Sequence, residues 1–425
     1  MEPITSSSLT SLPTELIAHI ASFLRPKCCT HNRPGCHYWS RGQTPLSRLS
    51  RTCKRLASIL QPSLFLCFPD HHSDQVRRLV HLARTLMARP DLAQRVRFLM
   101  MGQLDHDSLP TADATFVQST VTELQPGNPV PSWWDTDGDP QYRLLALELV
   151  LAHTPSLEYL RIPLDYDWRL EFLHGLGSEF SLPALRSLEV SHYFIAGDRF
   201  DISLDAVETI AAAAPNLEFL SIPSPNAYNA DGPFGNLRAL DLQSNNAVCS
   251  EVLSDFASKA PKLERFALQW DGFSYEDDAE DRRAVDAWNA LEKRRDTLRE
   301  VDVNALSPLR AAWRRNNRHA KEDSFLSGML PESIREVTLW NLDVHEYTEA
   351  VRRLAKVVGF GRYPALKSVV VAKAERSDRD GFYNQWNGPG AWWAMREELK
   401  QEFAKGGVAF EVKLESDYWR GLLKA

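Results

Sequence analysis

Long apolar runs are absent from this chain of 425 residues, and no stretch approaches the roughly 18 consecutive apolar residues of a membrane-spanning helix. The N-terminus, MEPITSSSLTS, contains an acid and no basic cluster, so we expect no secretory signal. Cysteine is scarce, with six residues, too few for a disulfide-stabilised scaffold. The sequence therefore predicts a protein that binds no membrane and works in a reducing compartment, the cytoplasm and/or the nucleus.

The motifs of common catalytic sites are also missing. The sequence contains no G-x-S-x-G, no phosphate-binding P-loop and no H-E-x-x-H. A net charge of −7 gives no general attraction for nucleic acid. One basic stretch, Arg310–Lys321, is interpreted as a solvated insertion rather than an RNA site. We therefore expect no enzymatic activity, no cofactor and no nucleic-acid partner.

Acidic residues are missing from the segment between Leu16 and Pro69, which contains eight Lys and Arg residues. Five of the six cysteines also fall within the first 67 residues. This N-terminal segment is chemically distinct from the rest of the chain, and its positive charge suits an acidic partner.

Two short amphipathic helices are predicted in this segment. In the first, Pro13 occupies the first helical position and the apolar residues lie on one stripe: Leu16, Ile17, Ile20, Phe23 and Leu24. The second runs from Thr44 to Gln61, ends at Pro62, and carries Leu46, Leu49, Cys53, Leu56 and Leu60 on one side. Two such helices make a poor core alone. The stripe is therefore expected to pack either on the domain that follows or on a partner protein.

The two helices together resemble an F-box. LPTELIAHIASFL carries the family's Leu-Pro-x-Glu opening, and PLSRLSRTCKRLASILQPSLF carries its Leu-Ser, Cys-Lys-Arg-Leu and Pro-Ser-Leu-Phe elements. The resemblance defines a domain at residues 1–66 with an insert at about 27–43 that departs from the family pattern. It implies docking on the acidic Skp adaptor of an SCF ubiquitin ligase through Leu12, Pro13, Leu16, Ile17, Ile20, Phe23, Leu24, Leu46, Leu49, Cys53 and Leu56. Burying five large apolar side chains of the first helix would supply on the order of 10 kcal/mol before association costs.

The insert contains Cys28, Cys29, His31, Cys36 and His37 within ten residues. Thiolates and imidazoles are the ligands of tetrahedral zinc, but this spacing matches no common zinc motif. An exposed loop with free thiols is the favoured interpretation, and we assign no metal site. Purified protein should therefore contain less than about one zinc per chain by elemental analysis. A stoichiometric zinc signal that disappears in Cys29→Ser or Cys36→Ser would contradict this prediction.

A degenerate repeat fills much of the remaining chain. Degenerate copies of the pattern P-x-L-x-x-L-x-(L/I/V) occur eight times, five of them with the proline, and their first apolar residue is at positions 157, 185, 217, 237, 263, 298, 334 and 366. Such a run predicts a short strand, and segments such as LDAVETIAAAAP predict helices between strands. The pattern predicts an α/β domain at residues 67–425, an irregular leucine-rich-repeat-like solenoid of parallel strands with helices. An ordinary α/β domain with several similar strands is the alternative.

Further elements are expected outside the eight copies. PDLAQRVRFLMM predicts an earlier strand with Val96, Leu99 and Met101 directed inward. The end predicts a helix from about Ala391, a stop at Gly406–Gly407 and a last strand, an ending that resembles the C-terminal repeat of fungal F-box proteins.

The variable positions of each repeat are expected to form an exposed concave face. That face is mixed in charge and has no row of arginines for phosphate recognition. We therefore expect a protein target of basic or apolar character, bound through Tyr159, Arg161, Phe219, Asp241, Asp302 and Trp340. The F-box resemblance implies a substrate-recognition subunit of an SCF-type ligase, bound to the Skp adaptor and cullin. The alternative is a non-catalytic scaffold that uses the same surfaces without promoting ubiquitylation.

Overall fold

The computed structural model describes residues 11–24, 39–69, 75–101, 110–125, 141–163, 170–176, 179–191, 205–223, 234–244, 256–270, 293–303, 330–340, 344–373 and 389–414. The chain divides into two compact units, residues 1–195 with 205–217, and residues 196–204 with 218–425. The cysteine-histidine cluster of the insert and the basic stretch at 310–321 lie outside the described residues.

The structure has helices and parallel strands in both units. The helices are α1 (Thr14–Phe23), α2 (Trp39–Ser50), α3 (Lys54–Leu64), α4 (Gln75–Ala88), α5 (Pro90–Ala93), α6 (Thr111–Leu124), α7 (Gln141–Ala152), α8 (Glu171–Leu176), α9 (Asp205–Ala213), α10 (Val344–Gly359) and α11 (Pro389–Lys405). The strands are β1 (Cys67–Pro69), β2 (Phe98–Met100), β3 (Tyr159–Pro163), β4 (Ser187–Ser191), β5 (Phe219–Pro223), β6 (Ala239–Ser244), β7 (Arg265–Trp270), β8 (Glu300–Val303), β9 (Glu336–Trp340), β10 (Ser368–Lys373) and β11 (Ala409–Leu414). The predicted α/β class with parallel strands is confirmed.

The first unit contains α1–α9 and a parallel run of four strands in chain order, β1-β2-β3-β4. Strand β2 confirms the predicted early strand, and Val96, Leu99 and Met101 are all buried. The sequence analysis missed β1, which has three residues and lacks the repeat pattern.

The predicted second helix of the N-terminal segment is two helices. Helix α2 ends at Ser50, and α3 begins at Lys54 after a turn. The break has a local cause, because Cys53 adopts an extended conformation and its Sγ accepts a hydrogen bond from the Leu56 amide at 3.5 Å, capping α3. Pro62 lies inside α3, so it does not end the helix as predicted, and Pro45 likewise lies inside α2.

The second unit contains seven parallel strands in chain order, β5 to β11. Each strand is in register with the next, so equivalent repeat positions form rows across the sheet. The apolar positions form buried rows, for example Leu220, Leu240, Phe266, Val301, Val337, Val369 and Phe410. All eight predicted repeat strands, β3 to β10, are confirmed as strands.

The C-terminal elements form as predicted. Helix α11 ends at Lys405, Gly407 adopts a φ of 73°, and strand β11 follows. The Cβ of any residue replacing Gly406 would lie 2.6 Å from a methyl group of Val358 and 2.9 Å from its carbonyl oxygen, so glycine allows α11 to approach α10 closely. The Phe403 and Phe410 rings stack below this turn with centroids 5.1 Å apart.

Candidate docking surfaces

Helices α1, α2 and α3 enclose a small core of their own. Its buried members come from all three helices: Ile17, Ala21, Leu46, Leu56 and Leu60. Leu12, Leu24, Leu49, Cys53, Ile59 and Leu64 are partly buried and pack around it. The Arg55 guanidinium donates a hydrogen bond to the Leu12 carbonyl oxygen at 2.9 Å, which holds the start of α1 against α3. The third helix therefore supplies the core that two helices would lack.

The apolar residues of α1 divide between two faces. Ile17 and Ala21 point into the core, whereas Leu16, Ile20 and Phe23 retain 49%, 36% and 72% of their surface exposed. These three residues are spaced i, i+4 and i+7, so they form one continuous strip, which we call the α1 strip. The Phe23 ring meets His19 edge to face at 4.8 Å, which orders it on the surface.

The residues predicted to contact an adaptor are thus at three depths. Leu16, Ile20, Phe23 and Pro13 are exposed, and Leu12, Leu24, Leu49 and Cys53 are half-buried. Ile17, Leu46 and Leu56 lie in the core with 1–2% of their surface exposed. In the free protein these three side chains support the surface from beneath and do not form it, so their contact with an adaptor stays a prediction.

Positive charge is exposed on the two helices that pack with α1. Arg48, Arg51, Lys54 and Arg55 are exposed on α2, α3 and the turn between them. No carboxylate between residues 16 and 69 offsets them. An exposed apolar strip on a helical segment with excess positive charge fits an acidic partner that has an apolar groove.

The predicted target face consists of side chains on the strands. In the first unit some of these side chains form stabilising contacts with each other. Glu189 is buried, accepts a hydrogen bond from the Tyr159 hydroxyl at 2.5 Å, and pairs with Arg161 at 3.3 Å. These two predicted target residues therefore hold a buried carboxylate. Replacing either one would leave Glu189 incompletely paired, which is costly inside a protein.

In the second unit the predicted residues occupy different rows. Asp241 and Asp302 lie in one row on either side of Ala267, and all three are at most 8% exposed. The Ser221 hydroxyl donates to Asp241 at 3.5 Å. The expectation of a fully exposed face is thus wrong for this row, because its short side chains lie close to the backbone between longer neighbours.

The aromatic residues proposed as anchors do not form one cluster in the second unit. Phe219 is half-buried on β5. Trp340 lies four strands away on β9, about 19 Å along the sheet, and in a different row, paired in register with Ala372. Tyr159 belongs to the first unit. Of the predicted target residues in this unit, the structure thus brings together Asp241 and Asp302 but not Phe219 and Trp340.

Other buried charges in the described residues have structural partners. Asp113 pairs with Arg84 at 2.7 Å and joins α6 to α4, and Glu148 accepts a hydrogen bond from the Leu173 amide at 2.7 Å near the start of α8. Within the same described residues, no group of three or more His, Cys, Asp or Glu side chains is arranged to hold a metal. No helix in this part of the chain is long and apolar enough to cross a membrane.

Sequence reasoning missed one feature of the repeats, the charged residue that follows the first apolar position of each copy. Aligning the copies on that position reveals it, since Arg238, Glu264, Arg299, Arg335 and Lys367 are equivalent.

No family model matches the chain, and no curated protein matches it either. The surfaces described above therefore carry the functional proposal.

Proposed function

We propose that this protein is the substrate-recognition subunit of an SCF-type ubiquitin ligase. In this proposal residues 1–66 are an F-box that docks on a Skp-type adaptor, and the strands belong to degenerate leucine-rich repeats that hold a protein target. The protein performs no chemistry itself. It raises the effective concentration of target lysines near a ubiquitin-loaded partner.

The observation that carries the proposal is the α1 strip. A small folded helical unit leaves Leu16, Ile20 and Phe23 exposed together while its own core is already closed. Adjacent exposed apolar side chains on a well-packed unit are typical of an interaction site. The residues that resemble an F-box are the same residues that build this unit.

The α1 strip contributes less binding free energy than five fully buried side chains would give. Ile17 is already buried, and the exposed surface of Leu16, Ile20 and Phe23 contributes about 2–5 kcal/mol when covered. A firm complex needs more, so half-buried residues of the three helices and the arginines of α2 and α3 must contribute contacts as well. Complex formation should therefore weaken with salt as well as with loss of apolar contacts.

Co-purification tests the proposal and separates it from the scaffold alternative. Tagged full-length protein should recover both a Skp-type adaptor and a cullin from cells, and both should be lost together when the strip is broken. Recovery of the adaptor without a cullin would favour the scaffold. Recovery of neither would reject the proposal.

The target face makes a separate prediction. Phe219→Ala combined with Glu336→Lys should remove an aromatic anchor and reverse an exposed charge in the same row, and should reduce recovery of cellular partners several-fold. The matched control is Leu124→Ala with Glu123→Lys on α6, where both residues are exposed. Partners are compared by quantitative mass spectrometry at equal adaptor recovery. An unchanged partner set, with circular dichroism unaltered, would remove this row from consideration.

A further inference from the structure

Strands β5 to β10 of the second unit are each preceded by a charged residue, and these six residues form a row. Backbone hydrogen bonds link consecutive members, because the amide N–H of each member donates to the carbonyl oxygen of the member before it at 2.6–2.8 Å. In chain order the members are Glu218, Arg238, Glu264, Arg299, Arg335 and Lys367. Consecutive members are therefore about one strand spacing, or about 4.8 Å, apart. We call this the edge row.

The edge row alternates in charge over its first members and then stops alternating. Glu218, Arg238 and Glu264 alternate, and Arg238 pairs with Glu264 at 3.2 Å. The next three members are all cationic: Arg299, Arg335 and Lys367. Among the described residues none of these three has an ion-pair or hydrogen-bonding partner for its side chain, and Arg335 and Lys367 are exposed. Like charges on neighbouring strands destabilise a sheet, so the fold alone does not explain this triplet.

A second feature, an exposed aromatic ring, lies at the same end of the strands, before β10 begins. The turn between α10 and β10, which leads to Lys367, presents Phe360 with 88% of its surface exposed. The turn is well defined, because the Phe360 amide donates to Lys356, the Gly361 amide to Val358 and the Arg362 amide to Val357. Gly361 has a φ of 80°, a conformation that glycine adopts without strain. Because the backbone of this turn is already ordered, contact between Phe360 and a partner would cost little further backbone entropy.

Two further arginines and one glutamate lie beside this turn. Burial raises the pKa of the Tyr363 hydroxyl, the nearby Arg362 and Arg295 lower it, and the nearby Glu332 raises it. Both arginines therefore lie close to the buried Tyr363 ring, which follows the turn that carries Phe360. Glu332 and Glu336 are the acids nearest in sequence to Arg335, and both are exposed.

We propose that Arg299, Arg335, Lys367 and Phe360 form a docking site for an acidic protein segment that carries an apolar residue. The three cations span about 10 Å, which matches three or four residues of extended chain and is too short to follow a nucleic-acid backbone. The neighbouring exposed Glu332 and Glu336 would repel a continuous anionic surface such as a membrane, which favours a short peptide. The site is separate from the α1 strip, so it does not depend on the proposed adaptor.

The binding experiment uses full-length protein and a fluorescein-labelled peptide of glutamates with one central leucine. We expect saturable binding by anisotropy that weakens steeply with salt, and at least about tenfold weaker binding for Arg335→Glu/Lys367→Glu. Arg95→Glu/Lys400→Glu is the control, since both residues are exposed and the change in net charge is identical. Phe360→Ser should weaken binding of this peptide but not of one with serine in place of leucine. Absence of binding to the unaltered protein, or equal loss in the control, would overturn the proposal. Binding to phosphatidylserine vesicles but not to the peptide would overturn it in favour of a lipid surface.

A stability measurement tests the geometry of the row independently. Arg335→Glu places an acid between Arg299 and Lys367, so the melting temperature should rise. Arg238→Glu places a third acid beside Glu218 and Glu264, so the melting temperature should fall. The two substitutions are chemically identical and lie in one row. A fall in both would show that Arg335 is not flanked by repelling cations and would remove the basis of the proposal.

Discussion

Leu16→Asp combined with Ile20→Asp should abolish adaptor binding, with a loss in affinity of at least about 100-fold, while the protein remains folded. Each substitution places a carboxylate where the proposed complex would cover an apolar side chain, and burying an unpaired charge costs several kcal/mol. Both positions are exposed in the free protein, at 49% and 36%, so the free energy of unfolding should change little. Isothermal titration calorimetry with a purified Skp-type adaptor measures the first effect, and differential scanning calorimetry the second.

The same helix offers a matched control. Ala18 and Ser22 are also exposed and are also spaced i, i+4, but they lie on the face of α1 away from both the strip and the core. Ala18→Asp combined with Ser22→Asp introduces the same two charges into the same helix. Adaptor affinity should stay within a few-fold of the original. Equal loss in both double variants would show that charge on α1, and not the strip, governs binding, whereas unaltered binding in Leu16→Asp/Ile20→Asp would exclude the strip altogether.

Much of the fold was predictable because the repeat pattern is periodic. The copies that begin at Leu157 and Leu217 place apolar residues at alternating strand positions, and burying them requires no knowledge of distant residues. Glycine marked the end of α11 for a similar local reason, whereas Pro62 lies inside α3 and did not mark a helix end. Strand β1 was missed because three residues carry too little pattern, and the α2–α3 break was missed because it depends on a cysteine acting as a helix cap.

The site was less predictable, because exposure is a property of the assembled structure. On α1, Leu16 and Ile17 belong to one broad apolar stripe in the sequence. Only the packing of α2 and α3 decides that Ile17 is covered and Leu16 is not. On the sheet, alternation predicts that Asp241 points away from the core, but not that its row is shielded by neighbouring side chains. The edge row was visible in the sequence only after the repeats were aligned on their first apolar residue.

Ile17→Ala should have the opposite profile to Leu16→Asp/Ile20→Asp. Ile17 is 1% exposed in a core of only five buried side chains, so truncating it to alanine leaves a cavity and should cost about 2–5 kcal/mol of the helical unit's stability. A unit of this size has little stability to spare. Hydrogen exchange should show α1 and α3 exchanging far faster than in the original protein, while β5–β10 stay protected.

Adaptor binding then distinguishes a lost fold from a lost surface. In Ile17→Ala the α1 strip is intact, so binding should weaken only because the folded form of the unit is less populated. A ligand that binds only the folded form restores stability by mass action, by about 2.7 kcal/mol at 100 times its dissociation constant. Excess adaptor should therefore recover slow exchange in α1 and α3 of Ile17→Ala, and should have no such effect in Leu16→Asp/Ile20→Asp, which has no surface to bind. If excess adaptor fails to protect Ile17→Ala, then either Ile17 contacts the adaptor directly or the adaptor does not bind this unit, and the division of α1 into a core face and a docking face is wrong.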